Sequence, residues 1–327
     1  MAGDRDIGVA VARALPPGPP AGRTGWEMTA ATGVRGLRQF HESGAFVSFR
    51  FTEANPEAFR VLFENVARFP GATAVEGDAR EVPPEAPFDY VDLDPYGSPA
   101  PFLRTALGSV RPGGVVAITA TDMMVLAGAQ PAACRRRYSA RPVRGRLGPE
   151  GGLRILLAES SRTASALDRS IRPLLAYARD HYVRAYVEVR VGRDPEPPVE
   201  AIEPARWTGP WVGDDGPYGP LWLGRLFDPE LVARLDAPEG ASRREEVQRF
   251  LLRLKEEVEV DRPFYFEPNV LAARLHLPSP PGLRAVAEGL RHLGFRVART
   301  HARPEGFRTD APRAEVERVV RALSGSA

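Results

Sequence analysis

Gly25-Trp26-Glu27-Met28-Thr29-Ala30-Ala31-Thr32-Gly33-Val34-Arg35-Gly36-Leu37 opens as an apolar strand, breaks at a turn with two glycines, and continues as a helix. Strand, tight turn and helix in that order begin a doubly wound α/β sheet, where a nucleotide-type ligand lies on the turn. The pattern then repeats. Ala45-Phe46-Val47-Ser48-Phe49-Arg50-Phe51 reads as a second strand ending at Thr52-Glu53. Residues 56–68 read as a helix, with Phe59, Leu62, Phe63 and Val66 on one face. A short strand over 72–75 precedes Gly77-Asp78-Ala79, and a fourth strand ends at Asp94. A helix is predicted over 102–110 and a fifth strand over 114–120. Residues 121–170 read as loop and helix, and the stretch from Ile171 to Val191 as a terminal strand pair whose second half alternates well. Such alternation argues for a parallel sheet covered on both faces. Ligands then sit at the carboxyl ends of the strands.

Three features of that edge suit a nucleotide-type cofactor. They are the turn holding Gly33, Arg35 and Gly36, an acid (Glu53) after strand two for ribose hydroxyls, and a polar contact (Asp78) after strand three for adenine. Glu27, just inside strand one, would position the turn or the cofactor's amino-acid end, or serve only as a strand acid. The dinucleotide fingerprint Gly-x-Gly-x-x-Gly is absent from this turn, which argues against a nicotinamide or flavin enzyme.

The fourth strand ends in Asp92-Leu93-Asp94-Pro95-Tyr96-Gly97-Ser98-Pro99. A carboxylate, a rigid backbone carbonyl and an aromatic face stand side by side there. Asp94 and the Pro95 carbonyl would accept the hydrogens of an exocyclic amine, and Tyr96 would stack on its base. That trio suits methyl transfer to nitrogen. The plainer reading is a strand-to-turn exit punctuated by Pro95 and Gly97.

Length and charge set the limits. A chain of 327 residues allows one large or two medium domains. No apolar run reaches the roughly 20 residues of a membrane span, and the start lacks a secretory pattern. Cys134 is the single cysteine, so neither an internal disulfide nor a Cys-rich zinc site is expected, and no metal is predicted. Cytoplasm is the expected compartment. Net charge is only +2, yet residues 135–184 carry 12 Arg against 4 acids, and residues 262–327 carry 11 Arg against 6 acids. Between them, residues 194–261 hold 8 basic and 16 acidic side chains. The basic blocks could bind a polyanion, and Arg135, Arg136, Arg137, Arg144, Arg299 and Arg308 are the candidate phosphate contacts. The alternative is ordinary surface charge in a chain whose only lysine is Lys255.

Asp194-Pro195-Glu196-Pro197-Pro198 is the expected boundary between domains 1–193 and 194–327. Beyond it, helices are predicted over 243–259, 269–275 and 282–293, then a basic hairpin over 295–301 and 307–309, an outline like that of a winged helix.

Several motifs together resemble the tRNA guanine-26 N2-dimethyltransferase family. Arg5-Asp6-Ile7 is similar to the family's Asn-Arg-Asp segment, and Ala31-Thr32-Gly33-Val34-Arg35-Gly36-Leu37-Arg38 to its cofactor turn. Asp92-Leu93-Asp94-Pro95-Tyr96-Gly97-Ser98-Pro99 resembles its signature with Tyr for Phe. Thr119-Ala120-Thr121-Asp122, Arg144-Gly145 with Glu150, Asp180-His181-Tyr182-Val183-Arg184, Gly219-Pro220-Leu221-Trp222-Leu223-Gly224, Arg299-Thr300-His301 and Thr309-Asp310-Ala311-Pro312 follow the family pattern. The resemblance implies a class I, Rossmann-like methyltransferase sheet with a smaller α+β C-terminal domain that engages tRNA. It implies S-adenosylmethionine as cofactor, contacted by Arg5, Arg35, Glu53, Asp78 and Ala79, with the target guanine held by Asp94, Pro95 and Tyr96. The product would be N2-methyl- and N2,N2-dimethylguanosine. Family members usually carry a longer segment before the Asn-Arg-Asp stretch, and some have paired cysteines in the second domain. Alternative readings are an adenine-N6 or cytosine-N4 DNA methyltransferase, a nicotinamide oxidoreductase, and a catalytically silent tRNA-binding protein.

Overall fold

The computed structural model of the protein describes residues 2–16, 18–82 and 84–324. Helix α1 (Ala2–Ala14) precedes strand β1 (Arg23–Glu27), followed by α2 (Val34–Ser43), β2 (Phe46–Glu53), α3 (Pro56–Val66), β3 (Ala72–Glu76), β4 (Phe88–Leu93), α4 (Leu103–Gly108) and β5 (Val110–Ala120). Helices α5 (Met123–Leu126), α6 (Pro131–Tyr138) and α7 (Gly148–Ser165) lead into the hairpin of β6 (Arg169–Arg179) and β7 (Tyr182–Val191). These seven strands form one sheet in the order β3-β2-β1-β4-β5-β7-β6. Pairing is parallel from β3 through β5, whereas β7 runs antiparallel to both β5 and β6. The carboxyl ends of β1, β2, β3, β4, β5 and β6 therefore share one edge. The strand order reverses between β1 and β4, the crevice where ligands bind in doubly wound sheets.

Local sequence explains the elements that build this crevice. Gly33 adopts φ 78° and caps α2, so the helix starts at Val34, inside the stretch read from sequence as the turn. A Cβ at Gly33 would lie 2.6 Å from Leu62 Cδ1, so the turn needs glycine for conformation and space alike. Asn55 caps α3 by accepting from the Glu57 and Ala58 amides at 2.9 and 3.3 Å, with Pro56 pre-set in the first turn. Strand β4 is buried from Asp89 through Leu93, as a central parallel strand must be. Strand β5 starts at Val110, earlier than the predicted 114.

After β7 come β8 (Val199–Ile202), β9 (Tyr218–Trp222), α8 (Pro229–Arg234), α9 (Arg244–Glu257), α10 (Pro268–Arg274), α11 (Leu283–His292), β10 (Val297–Arg299), β11 (Phe307–Thr309) and α12 (Arg313–Ser324). The predicted helices and hairpin are present. Helices α1, α8 and α12 and the β8–β9 pair are additional to the predicted elements. One apolar core runs from Ile7 through the sheet to Phe264 and Tyr265, and a second gathers Phe266, Leu271, Val286, Leu290, Phe307, Val316 and Val320. Glu150, Arg154, Arg308 and Glu257, all at most 2 % exposed, join α7 to β11 and α9. Arg308 bonds to both carboxylates, at 2.9 Å to Glu150, and to the Arg262 and Phe264 carbonyls. Thr300 and His301 complete the shell around Glu257. No described helix is long and apolar enough to cross a membrane.

Candidate active site

The switch-point crevice is lined by groups from the ends of β1, β2 and β4. On one side, Glu27 closes β1 as the parallel partner of Asp92 and accepts from the Gly36 amide at 3.2 Å. Gly36 is required here because a Cβ would sit 2.6 Å from both Glu27 Oε2 and Phe51 Cε1. Burial, reinforced by Asp92, pushes the Glu27 carboxyl well above the ordinary carboxylate range. Glu53 closes β2 and accepts from the Ala31 amide at 2.6 Å and the Asn55 amide at 2.8 Å, so it braces the turn after β1. Asp78 follows β3 and is held by Arg80 at 2.5 Å, which lowers its pKa to about 2. Ala79 beside it is buried. Arg5 is half-buried on α1.

The other side follows β4. Asp94 bonds Arg35 at 2.7 Å, so the residue after the glycine turn orients the strand-end carboxylate. Pro95 is buried, whereas Tyr96 is fully exposed. The loop is pinned behind them. The Gly97 amide donates to Thr121 Oγ1 at 2.8 Å, and the Gly97 carbonyl accepts from the Thr121 amide at 3.0 Å. Ser98 Oγ meets the Tyr138 hydroxyl at 2.7 Å, and that hydroxyl donates to Asp122 at 2.9 Å.

Beneath this corner lies a buried polar group that the sequence reading did not single out. Asp92 and Arg184, both fully buried, pair at 2.7 Å. Asp92 also accepts from Tyr90 Oη at 2.9 Å and Gln39 Nε2 at 3.2 Å, and Arg184 donates to Thr119 and Tyr186. Burial alone would raise the Asp92 pKa, but Arg184 and Arg35 hold it below the ordinary value. The available signal was a charge within an apolar strand, matched by an arginine inside the alternating strand β7. Around the crevice, Arg35 Nη1, Asp92 Oδ1, Gln39 Oε1 and Thr29 Oγ1 are buried without a hydrogen-bond partner. A polar ligand in the crevice would supply partners for such atoms.

The arginines divide. Arg135, Arg136 and Arg137 lie exposed on α6, with Arg137 bonded to Asp122 at 3.2 Å. Arg144 and Arg299 are exposed too. Arg308 is not a phosphate contact, which corrects the reading from charge. It is 0 % exposed and clamped between Glu150 and Glu257. Turning it outward would strand two buried carboxylates.

The β3-β2-β1-β4-β5-β7-β6 sheet, the glycine turn after β1 and the acid-Pro-aromatic corner after β4 define a class I methyltransferase. The sequence matches the N2,N2-dimethylguanosine tRNA methyltransferase family over residues 4–197 and 213–321, and the chain belongs to that family. It is 34% identical to the tRNA (guanine(26)-N(2))-dimethyltransferase of Thermococcus kodakarensis, over 98% of this chain and 91% of that protein. It is 33% identical to the enzyme of the same name from Pyrococcus abyssi, over 95% and 89%. The structure superposes on that of Trm1 from Pyrococcus horikoshii in complex with S-adenosyl-L-methionine, with a TM-score of 0.85, 29% identity and coverage of 98% and 93%.

Proposed function

We propose that the protein transfers methyl groups from S-adenosylmethionine to the exocyclic N2 of guanine 26 in tRNA, giving N2-methyl- and N2,N2-dimethylguanosine. The observation that carries the reading is the corner after β4, where Asp94 is tied to the cofactor turn by Arg35 and Tyr96 stands bare. The crevice suits the cofactor, since Gly33 and Gly36 let the turn close tightly on Leu62, Glu27 and Phe51, and unpaired buried polar atoms lie around it. Arg5, Glu27, Gly33, Arg35, Gly36, Glu53, Asp78 and Ala79 would hold it, Glu53 at the ribose and Asp78 at the adenine. When bound, S-adenosylmethionine supplies an electrophilic methyl group on a positively charged sulfur. Tyr96 would stack on a guanine drawn out of the tRNA. Arg35 occupies Asp94 Oδ2, so Oδ1 and the Pro95 carbonyl would accept the two amine hydrogens and aim the nitrogen lone pair. Alignment of this kind supplies up to about 7–11 kcal/mol of barrier reduction. The proton released passes to Asp94 or to water. A second methylation requires the monomethylated amine to rotate in place.

Residues 194–327 would engage the tRNA together with the exposed arginines of α6, in the cytoplasm. The test is methyl transfer to unmodified tRNA transcripts with mass mapping of the modified nucleoside. Asp94→Ala should keep cofactor affinity within about threefold and lose over nine-tenths of turnover, a transition-state loss of at least ~1.4 kcal/mol. Methyl found on another base nitrogen, or on duplex DNA alone, would overturn the reading.

A further inference from the structure

A second cleft, of about 700 Å³, opens between the β6–β7 turn, α9 and the β10–β11 loop. Five arginines line it, Arg179, Arg249, Arg253, Arg299 and Arg303, against two carboxylates, Asp180 and Glu246. Both carboxylates are engaged with Arg179. Arg253 reaches Glu256 on the outer face of α9, and Arg299 donates to the Pro304 carbonyl. Arg249 is exposed and forms no ion pair among the described residues. His301 lies in the same wall. Its side chain is only 2 % exposed, its Nδ1 bonds Glu257 at 2.6 Å, and its Nε2 is buried without a partner. Five guanidiniums against two carboxylates already engaged leave this cleft with a surplus of cationic donors, which suits an anionic ligand.

We propose that this cleft binds a phosphodiester, with His301 on its wall and the arginines around it, and that it grips the backbone of the substrate RNA beside the target nucleotide. The assignment rests on tRNA being the substrate. The position supports it. Strand β6 runs parallel to β5, so the turn carrying Arg179 and Asp180 lies on the same edge of the sheet as Asp94. Three strand spacings separate the ends of β4 and β6, about 14 Å at 4.7–4.9 Å each, within reach of one RNA strand.

The experiment compares wild type with Arg249→Glu/Arg253→Glu, two substitutions on the outer face of α9 that leave the His301–Glu257 pair untouched. Affinity for an unmodified tRNA transcript should fall at least tenfold at 0.1 M salt, and the slope of log affinity against log salt should flatten by roughly one to two, as expected for lost phosphate contacts. S-adenosylmethionine affinity by calorimetry should not move. Arg299→Glu, on the β10 side of the cleft, supplies a second, milder test and should also weaken tRNA binding. Unchanged tRNA affinity and slope in the double variant would overturn the proposal. So would submillimolar binding of inorganic phosphate that the double variant abolishes while tRNA affinity stays intact, since the cleft would then serve a free anion. Failure of the wild type to methylate guanine N2 while it still binds tRNA through this cleft would overturn the functional reading and support the cleft.

Discussion

Arg184→Met tests whether the polar layer under Asp94 holds the fold. Arg184 is fully buried and bonds Asp92 at 2.7 Å, Thr119 Oγ1 at 2.5 Å and Tyr186 Oη at 2.9 Å. Its guanidinium lies 4.8 Å from the Tyr186 ring centroid. Methionine keeps an unbranched side chain and removes the charge. Asp92 then remains in the interior beside Glu27, with only Tyr90 and Gln39 to bond it. Breaking a buried pair from one side costs about 3–5 kcal/mol. Removing both partners, as in Arg184→Met/Asp92→Leu, should cost clearly less than the sum of the two single changes.

The pH dependence has a definite sign. In wild type the Asp92 pKa is depressed, so its stabilisation is complete above the ordinary value of 3.8 and is lost only as pH falls further, through the folded value. Between pH 8 and pH 5 that contribution is flat. In the variant Arg35 alone is left to oppose burial, so the Asp92 pKa rises from its wild-type value, and part of the lost stability returns as pH falls through it. The gap between wild type and variant should therefore narrow from pH 8 to pH 5. Urea unfolding followed by tryptophan fluorescence measures it. A loss under about 1 kcal/mol at pH 8, or the same loss at both pH values, would refute the reasoning.

Glu53→Ala should weaken S-adenosylmethionine binding at least tenfold, or about 1.4 kcal/mol, because it removes the proposed ribose acceptor and the brace on Ala31; unchanged affinity by calorimetry would leave Glu53 as a loop brace alone. Glu27→Gln keeps an acceptor for the Gly36 amide. Since the raised Glu27 pKa means stability present below 4.5 and lost as pH rises through the folded value, the variant should melt above wild type at pH 8 and with it at pH 4; equal melting at both refutes this. Tyr138→Phe takes from Ser98 and Asp122 their shared partner. It should lower kcat about fivefold or more, with KM for tRNA within twofold, as a loosened acceptor loop would; a rise in KM alone would place Tyr138 in RNA binding instead.

The parts of the site that lie at strand ends were legible, since an apolar run followed by a turn shows where a parallel strand stops. Glu53, Asp78 and Asp94 all stand at such stops. Helix α1 was not legible, because Ile7, Val9, Ala10, Val11 and Ala12 are all buried and leave no polar face to mark a period. Arg308 was misread for a related reason. Charge counted along the chain cannot separate an arginine that faces solvent from one whose counter-ions, Glu150 and Glu257, lie 158 and 51 residues away. The same long-range pairing hid Arg184 and Asp92, which are 92 residues apart.

These buried charges bear directly on the acceptor corner. Arg35 is surrounded by Asp94 and Asp92, which favour its charge, and by Arg184, which opposes it. Charges thus alternate from the core outward, Arg184 on Asp92, then Arg35, then Asp94 at the mouth of the crevice. An aspartate on a loop by itself would sample several rotamers, and fixing it against an amine would cost binding energy in each turnover. Here Arg35 holds it at 2.7 Å, and Arg35 is itself set by groups that cannot move without exposing a buried charge. The carboxylate that would meet the target amine is therefore oriented before any substrate arrives, and preorganised polar groups of this kind contribute most to lowering a barrier. Because Arg35 also belongs to the glycine turn, a shift of that turn would pull on Asp94, and the Arg35–Asp94 pair ties the two sides of the crevice together.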